Sequence, residues 1–192
     1  MSYEAQKFEE LIGVEGLSDD LLENHFSLYE GYVKNTNVLL EILDTKTPGD
    51  IEYSELQRRF GWEFNGMRLH ELYFENLTKN AVNLTSKCSL SQKIDKIYGD
   101  YDNWKRNFVA VASMRGIGWA VLYYDKKSDE LFNIWVNEHD SGHLAGCIPI
   151  IVCDCFEHAY ILDYGIKRAD YIDAFFKNLN WSVVEDRFKA AL

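Results

Sequence analysis

The chain has 192 residues, 47% of them hydrophobic, 15% aromatic and 27% charged, which is enough apolar matter for a substantial core in one or two small domains. Its formal net charge of −11 argues against nucleic acid or an anionic membrane as the main partner, although a local cation can still draw in a small anion. No apolar run reaches the roughly 20 residues of a membrane helix, and the opening MSYEAQKFEELIG carries acids and no apolar core of the secretory kind, so a cytoplasmic location is expected.

In chain order, Ser18 followed by Asp19, Asp20 and Glu23 reads as a helix N-cap. Leu21, Leu22, His25, Leu28, Tyr29, Tyr32 and Val33 then recur at helical spacing, and the helix runs through LLEIL to stop near the turn TPGD at 47–50. A second helix is predicted from about Glu52 to Leu77, with a break or kink at Gly61 and Gly66. The two form an antiparallel hairpin. SLSQKIDKIYG and YDNWKRNFVAVASMR predict two shorter helices.

The period then changes. Gly118–Tyr124 and Leu131–Val136 are β-rich runs around the polar turn DKKSDE, and Ile148–Cys153 suits a buried strand. EHAYILDYG, RADYIDAFFKNL and WSVVEDRFKAAL are helical again. The plan is α+β: a helical hairpin domain over 1–84, then a domain over 85–192 with helices around a three-stranded antiparallel sheet.

The four cysteines, Cys88, Cys147, Cys153 and Cys155, form no C-x-x-C pair and read as small residues in a reducing compartment. The five histidines are His25, His70, His139, His143 and His158. His25 and His70 sit among apolar helix positions, where a histidine is more often a satisfied core residue than a ligand. Asp154-Cys-Phe-Glu-His158 follows an apolar strand and opens a helical stretch. It reads either as a strand-end turn or as two side chains converging on one point. Spacing excludes the common alternatives. No histidine has a glutamate three residues before it, so the di-iron motif is absent. Phe74 stands where H-E-x-x-H needs its second histidine, and no phosphate loop or G-x-S-x-G elbow occurs.

The segment DCFEHAYILDYGIKRADYIDAFFKNLNW closely resembles the C-terminal signature of the iron/manganese superoxide dismutases, D-x-W-E-H-A-Y-Y-x-D-Y followed by R-x-x-Y and N-W. NHFSLYEGYVKNTN, FNGMRLHELYF and GIGWAVLYY resemble that family's first helix, second helix and G-S-G-W strand. The resemblance runs from about residue 17 to the end. It implies one iron or manganese ion per chain held by His25, His70, Asp154 and His158. It also implies Tyr32 as a channel-gating tyrosine, Trp119 beside the metal, and Arg168 as a cation that draws in superoxide. Glu157 is expected to reach His158 of a second copy in a homodimer or larger homo-oligomer. No nucleic-acid or membrane partner is expected.

The departures from the family pattern are specific. Tyr32 lies seven residues after His25, whereas the family spacing is eight and needs a π-bulge to keep both side chains on one face, so this helix is expected to lack the bulge. Tyr29 and Ile161 replace a histidine and a tyrosine that pair across the family's dimer, and are expected to pack on each other there. Phe156 replaces the tryptophan of D-x-W-E-H. The glutamine that holds the solvent at the metal has two family positions. One is Gly66 here; at the other, N-E-H-D-S-G places His139 in the glutamine's role. His143 has no counterpart and is expected at the surface. The function implied is disproportionation of superoxide to dioxygen and hydrogen peroxide. The alternative is a catalytically silent dimeric metal-binding protein of the same fold.

Overall fold

The structure is a computed structural model and describes residues 2–192. Helix α1 spans Asp19–Leu43 and α2 spans Ile51–Glu75. Ser18 caps α1, its hydroxyl accepting from Leu21 N at 3.2 Å, a bond worth about 1 kcal/mol. Asp163 holds the same hydroxyl at 2.6 Å and the Ser18 amide at 2.7 Å, which ties the start of α1 to the far end of the chain. α1 is regular throughout, with no π segment, as the seven-residue spacing requires.

The break expected in α2 does not occur: Gly61 and Gly66 both lie inside one continuous helix. Gly66 has a packing reason instead. A Cβ there would lie 2.5 Å from the Tyr32 ring, so α1 and α2 approach through a glycine and the tyrosine fills the space.

The remaining elements are α3 (Ser89–Tyr98), α4 (Tyr101–Ala112), β1 (Gly118–Asp125), β2 (Glu130–Asn137), β3 (Ile148–Asp154), a four-residue α5 (Ile161–Tyr164), α6 (Arg168–Lys177) and α7 (Trp181–Ala191). The sheet order is β2-β1-β3, all antiparallel. β1 is central, which is why GWAVLYY is apolar on both faces and buried along its whole length. The pairing of β1 with β3 shifts between Leu122 and Tyr123, so that Trp119 ends opposite Asp154.

The end of α2 joins the second half through a short bridge. Leu77 pairs with Leu179, Thr78 N donates to Asn178 O at 2.9 Å, and Asn180 N donates to Asn76 O at 2.7 Å. Arg187 of α7 adds bonds to Glu75, Asn76 and the Ile150 carbonyl, all between 2.8 and 3.0 Å. Together these contacts set α2 against β3.

Candidate metal centre

Four elements converge on one buried point. His25 comes from α1, His70 from α2, Asp154 from the end of β3, and His158 from the 3-10 turn Glu157–Ala159. Their ligating atoms all lie within 4.8 Å of one another. The Nε2 atoms of His158, His25 and His70 stand 3.0, 3.2 and 3.6 Å from Asp154 Oδ2. The other Asp154 oxygen accepts from Phe156 N at 2.8 Å, and Tyr171 donates to the Asp154 carbonyl at 2.8 Å.

His70 shows what this arrangement needs. Its Nδ1 faces the Gly66 carbonyl at 2.6 Å, and a carbonyl only accepts, so the ring proton is on Nδ1. Burial pushes the imidazole well below its usual pKa, with the neighbouring histidines opposing Asp154, and the ring is neutral. Its Nε2 therefore presents a bare lone pair to a carboxylate oxygen. That nitrogen and both nitrogens of His25 are buried without hydrogen-bond partners. Unpaired buried polar groups of this kind are costly. A cation among the four groups resolves both Nε2 atoms at once, and the Nδ1 bond of His70 to a backbone carbonyl is the usual way a metal-ligating histidine is oriented. Burial opposes ionisation of Asp154, but His158 and His25, whose Nε2 atoms stand 3.0 and 3.2 Å from its carboxylate, outweigh it and hold the carboxyl well below the usual carboxylate range. The residues fit a divalent or trivalent metal ion.

Around the four, Tyr32 stacks on His70 at 5.2 Å and Trp119 meets it edge-on at 5.0 Å. His139 is fully buried. Its Nδ1 accepts from Trp119 Nε1 at 3.1 Å and its Nε2 lies 2.7 Å from the Tyr32 hydroxyl. Trp119 can only donate, so the neutral His139 carries its proton on Nε2 and donates it to Tyr32. The Tyr32 O–H is then left to serve another acceptor. Burial lowers His139 to about 4 and raises Tyr32 to about 12, so both are neutral at pH 7. Phe156, which stands where the signature has tryptophan, stacks between His139 and His158, at 4.8 and 5.2 Å.

Gly66→Ala is expected to lower stability by about 1–3 kcal/mol through forced displacement of the Tyr32 ring; denaturant unfolding measures this, and a loss of turnover should accompany it.

Two expectations are corrected here. Tyr29 is 1% exposed within the single chain. Its hydroxyl accepts from Gln6 N at 2.9 Å and donates to Glu71 at 3.0 Å, so it is covered by the chain's own N-terminal segment and is not free to pack on Ile161 of a second copy. Arg168 lies 5.7 Å over the Tyr160 ring, and a second cation, Arg59, has a field that reaches both Tyr32 and His139. The Arg59 side chain is 54% exposed, paired to Glu63 at 2.6 Å and seated 5.2 Å over Trp62, and Trp62 itself meets His139 edge-on at 4.9 Å. His143, expected at the surface, is half-buried, with both ring nitrogens hydrogen-bonded.

Comparison with known proteins agrees with this geometry. The profile of "Iron/manganese superoxide dismutases, C-terminal domain" matches residues 86–187, and the chain is 39% identical over 188 residues to "Superoxide dismutase [Fe]" of Aquifex pyrophilus, covering 93% of this chain and 87% of that protein. The chain belongs to the iron/manganese superoxide dismutase family. Relatives of both metal names are found. A "Superoxide dismutase [Fe]" of Saccharolobus solfataricus is 35% identical, covering 92% of this chain and 87% of its own. "Superoxide dismutase [Mn] 2" of Haloferax volcanii is 33% identical, covering 88% and 85%. Within this family frame, sequence reasoning missed Trp62, Arg59 and Tyr171. Only Tyr171 left a signal, as the last residue of R-x-x-Y.

Proposed function

We propose that the protein disproportionates superoxide to dioxygen and hydrogen peroxide at one iron or manganese ion per chain, held by His25, His70, Asp154 and His158. The observation that carries this is the convergence of three imidazole Nε2 atoms on one buried carboxylate oxygen, 3.0–3.6 Å away, with the Nε2 atoms of His25 and His70 otherwise unpartnered. A bound ion supplies the one-electron redox change that turns one superoxide into dioxygen and the next into peroxide.

The chain's own residues do the rest. His70 is oriented by the Gly66 carbonyl, and Asp154 by the Phe156 amide and Tyr171. Tyr32 closes the approach to the site and, with its oxygen held by His139, keeps its O–H available to pass a proton to reduced substrate. Phe156, Trp119 and Trp62 line His139 and keep bulk water from it. Arg59, ion-paired to Glu63, stands at the outer end of this path, and Arg168 is the cation proposed to draw in superoxide. Turnover is tested by following superoxide decay after a radiolytic pulse with the iron- or manganese-loaded protein. Decay proportional to loaded protein is expected, and decay at the spontaneous rate would favour the catalytically silent metal-binding reading.

We further propose a homodimer or larger homo-oligomer in which Glu157 reaches His158 of the second copy. In support, Glu157 is exposed and its carboxylate makes no hydrogen bond or ion pair among the described residues, and the apolar Ile161, Leu162 and Ile166 beside it are 51%, 58% and 97% exposed. Glu157→Ala is expected to weaken self-association, read by sedimentation at micromolar concentration. A wild-type monomer with full activity contradicts this. The division into a hairpin domain over 1–84 and a second domain over 85–192 is kept on the helix-free connection between Glu75 and Ser89. Among the described residues no helix is long and apolar enough to cross a membrane. The cysteines are unpaired, which supports a reducing cytoplasm as the location.

A further inference from the structure

His143 is the histidine that the ligand set and its surroundings leave unused. It follows the turn from β2 that carries His139. In that turn Asn137 and Ser141 pair through two backbone bonds of 2.7 and 3.3 Å. Glu138 takes a left-handed φ of +52°, and Gly142 one of +101° where a Cβ would stand 3.1 Å from the Trp135 carbonyl. The chain therefore folds sharply back on itself, and the His143 imidazole returns beneath residue 139.

Its two nitrogens are fully committed. Nε2 lies 2.8 Å from the His139 carbonyl, and Nδ1 lies 2.7 Å from the Tyr123 hydroxyl. A carbonyl accepts, so Nε2–H donates to it. In the neutral ring Nδ1 then accepts from Tyr123. Tyr123 and Trp119 are both on β1, four residues apart and so on one face of the strand. Trp119 holds the His139 ring at Nδ1. Tyr123 holds the His139 backbone through His143. The ring and the main chain of one turn residue are thus anchored to the same rigid, buried central strand.

We infer that His143 is a positioning residue for His139: bridging Tyr123 to the His139 carbonyl, it fixes the direction in which His139 Nε2–H points toward Tyr32. Turn residues are mobile unless tied down, and a hydrogen-bond donor at a reacting centre must be held to a fraction of an ångström. The assignment rests on the role proposed for His139 above.

The test compares iron-loaded wild type with His143→Ala, His143→Gln, Tyr123→Phe and, as reference, His139→Ala. Each protein is measured for iron content, unfolding temperature, kcat and KM, and affinity for azide as a small anionic probe. His143→Ala is expected to keep its iron, to lose kcat by roughly tenfold, as outer partners of a metal site typically do when removed, and to shift azide affinity in the same direction as His139→Ala. His143→Gln can donate to the carbonyl and accept from Tyr123, and should restore most of both; Tyr123→Phe should reproduce part of the loss. A lower unfolding temperature with unchanged kcat and azide affinity, while His139→Ala is impaired, overturns the positioning role. Wild-type behaviour of His139→Ala itself overturns the reading of His139 and this inference with it. If His143→Ala does not fold, Tyr123→Phe and His143→Gln decide: wild-type azide affinity and kcat in both Tyr123→Phe and His143→Gln, with His139→Ala impaired, overturns the inference, and loss in Tyr123→Phe supports it.

Discussion

Asp154→Ala is expected to purify essentially without metal and without superoxide-disproportionating activity. Asp154 is fully buried, and it is the only carboxylate of the four groups. Without it, three imidazoles face one another with no anion to balance a cation. The loss should exceed the roughly 10–100-fold typical of removing an outer partner of a metal site. Asp154→Asn separates charge from fold, because the amide oxygen can still accept from Phe156 N as Asp154 Oδ1 does at 2.8 Å. The asparagine variant should fold yet bind iron or manganese no better than the alanine variant. Binding to the native state alone raises stability by mass action, so added metal should raise the unfolding temperature of wild type and leave both variants unmoved. Full metal occupancy in Asp154→Ala contradicts the site.

His139→Ala is expected to behave differently: metal retained, turnover reduced by roughly 10–100-fold, and the reduction potential displaced. The ligand set is untouched, since His139 contributes none of the four ligating atoms. What disappears is the donor that holds the Tyr32 oxygen at 2.7 Å and the acceptor for Trp119 at 3.1 Å, together with a ring stacked on Phe156. Trp119 Nε1 is then buried without its partner, at a cost of about 1–3 kcal/mol. His139→Gln should retain more activity than alanine, because an amide can accept from Trp119 and still offer two N–H donors. A wild-type rate in His139→Ala with the same metal would reduce His139 to a packing residue.

Much of this centre can be read from local sequence. Ser18 announces the start of α1 by its own side chain. Apolar runs of alternating or continuous type announce the three strands, and the seven-residue step from His25 to Tyr32 announces a helix without a π-bulge. The four proposed ligands stand in segments whose motifs are short and specific. The misreadings share one cause, which is contact between segments distant in sequence. A glycine inside a helix suggests a break until Tyr32 of another helix is seen against Gly66. Tyr29 looks available until residues 2–8, which carry no periodic signal, are seen to cover it through the Gln6 amide and the Phe8 ring. His143 looks like a surface residue because its partners, Tyr123 and the His139 carbonyl, meet it only after the turn reverses. Arg59 can reach Trp62 by helical spacing alone, but nothing local shows that Trp62 in turn meets His139 of the distant β2 turn.

The most direct test of the central claim is an anomalous difference map at the metal absorption edge, from crystals of protein loaded with iron or manganese. The account predicts one peak per chain, about 2.0–2.2 Å from Nε2 of His25, His70 and His158 and from a carboxylate oxygen of Asp154, within the range usual for imidazole and carboxylate ligands. A peak elsewhere, or no peak among these four residues in crystals of an active, metal-loaded preparation, would contradict it.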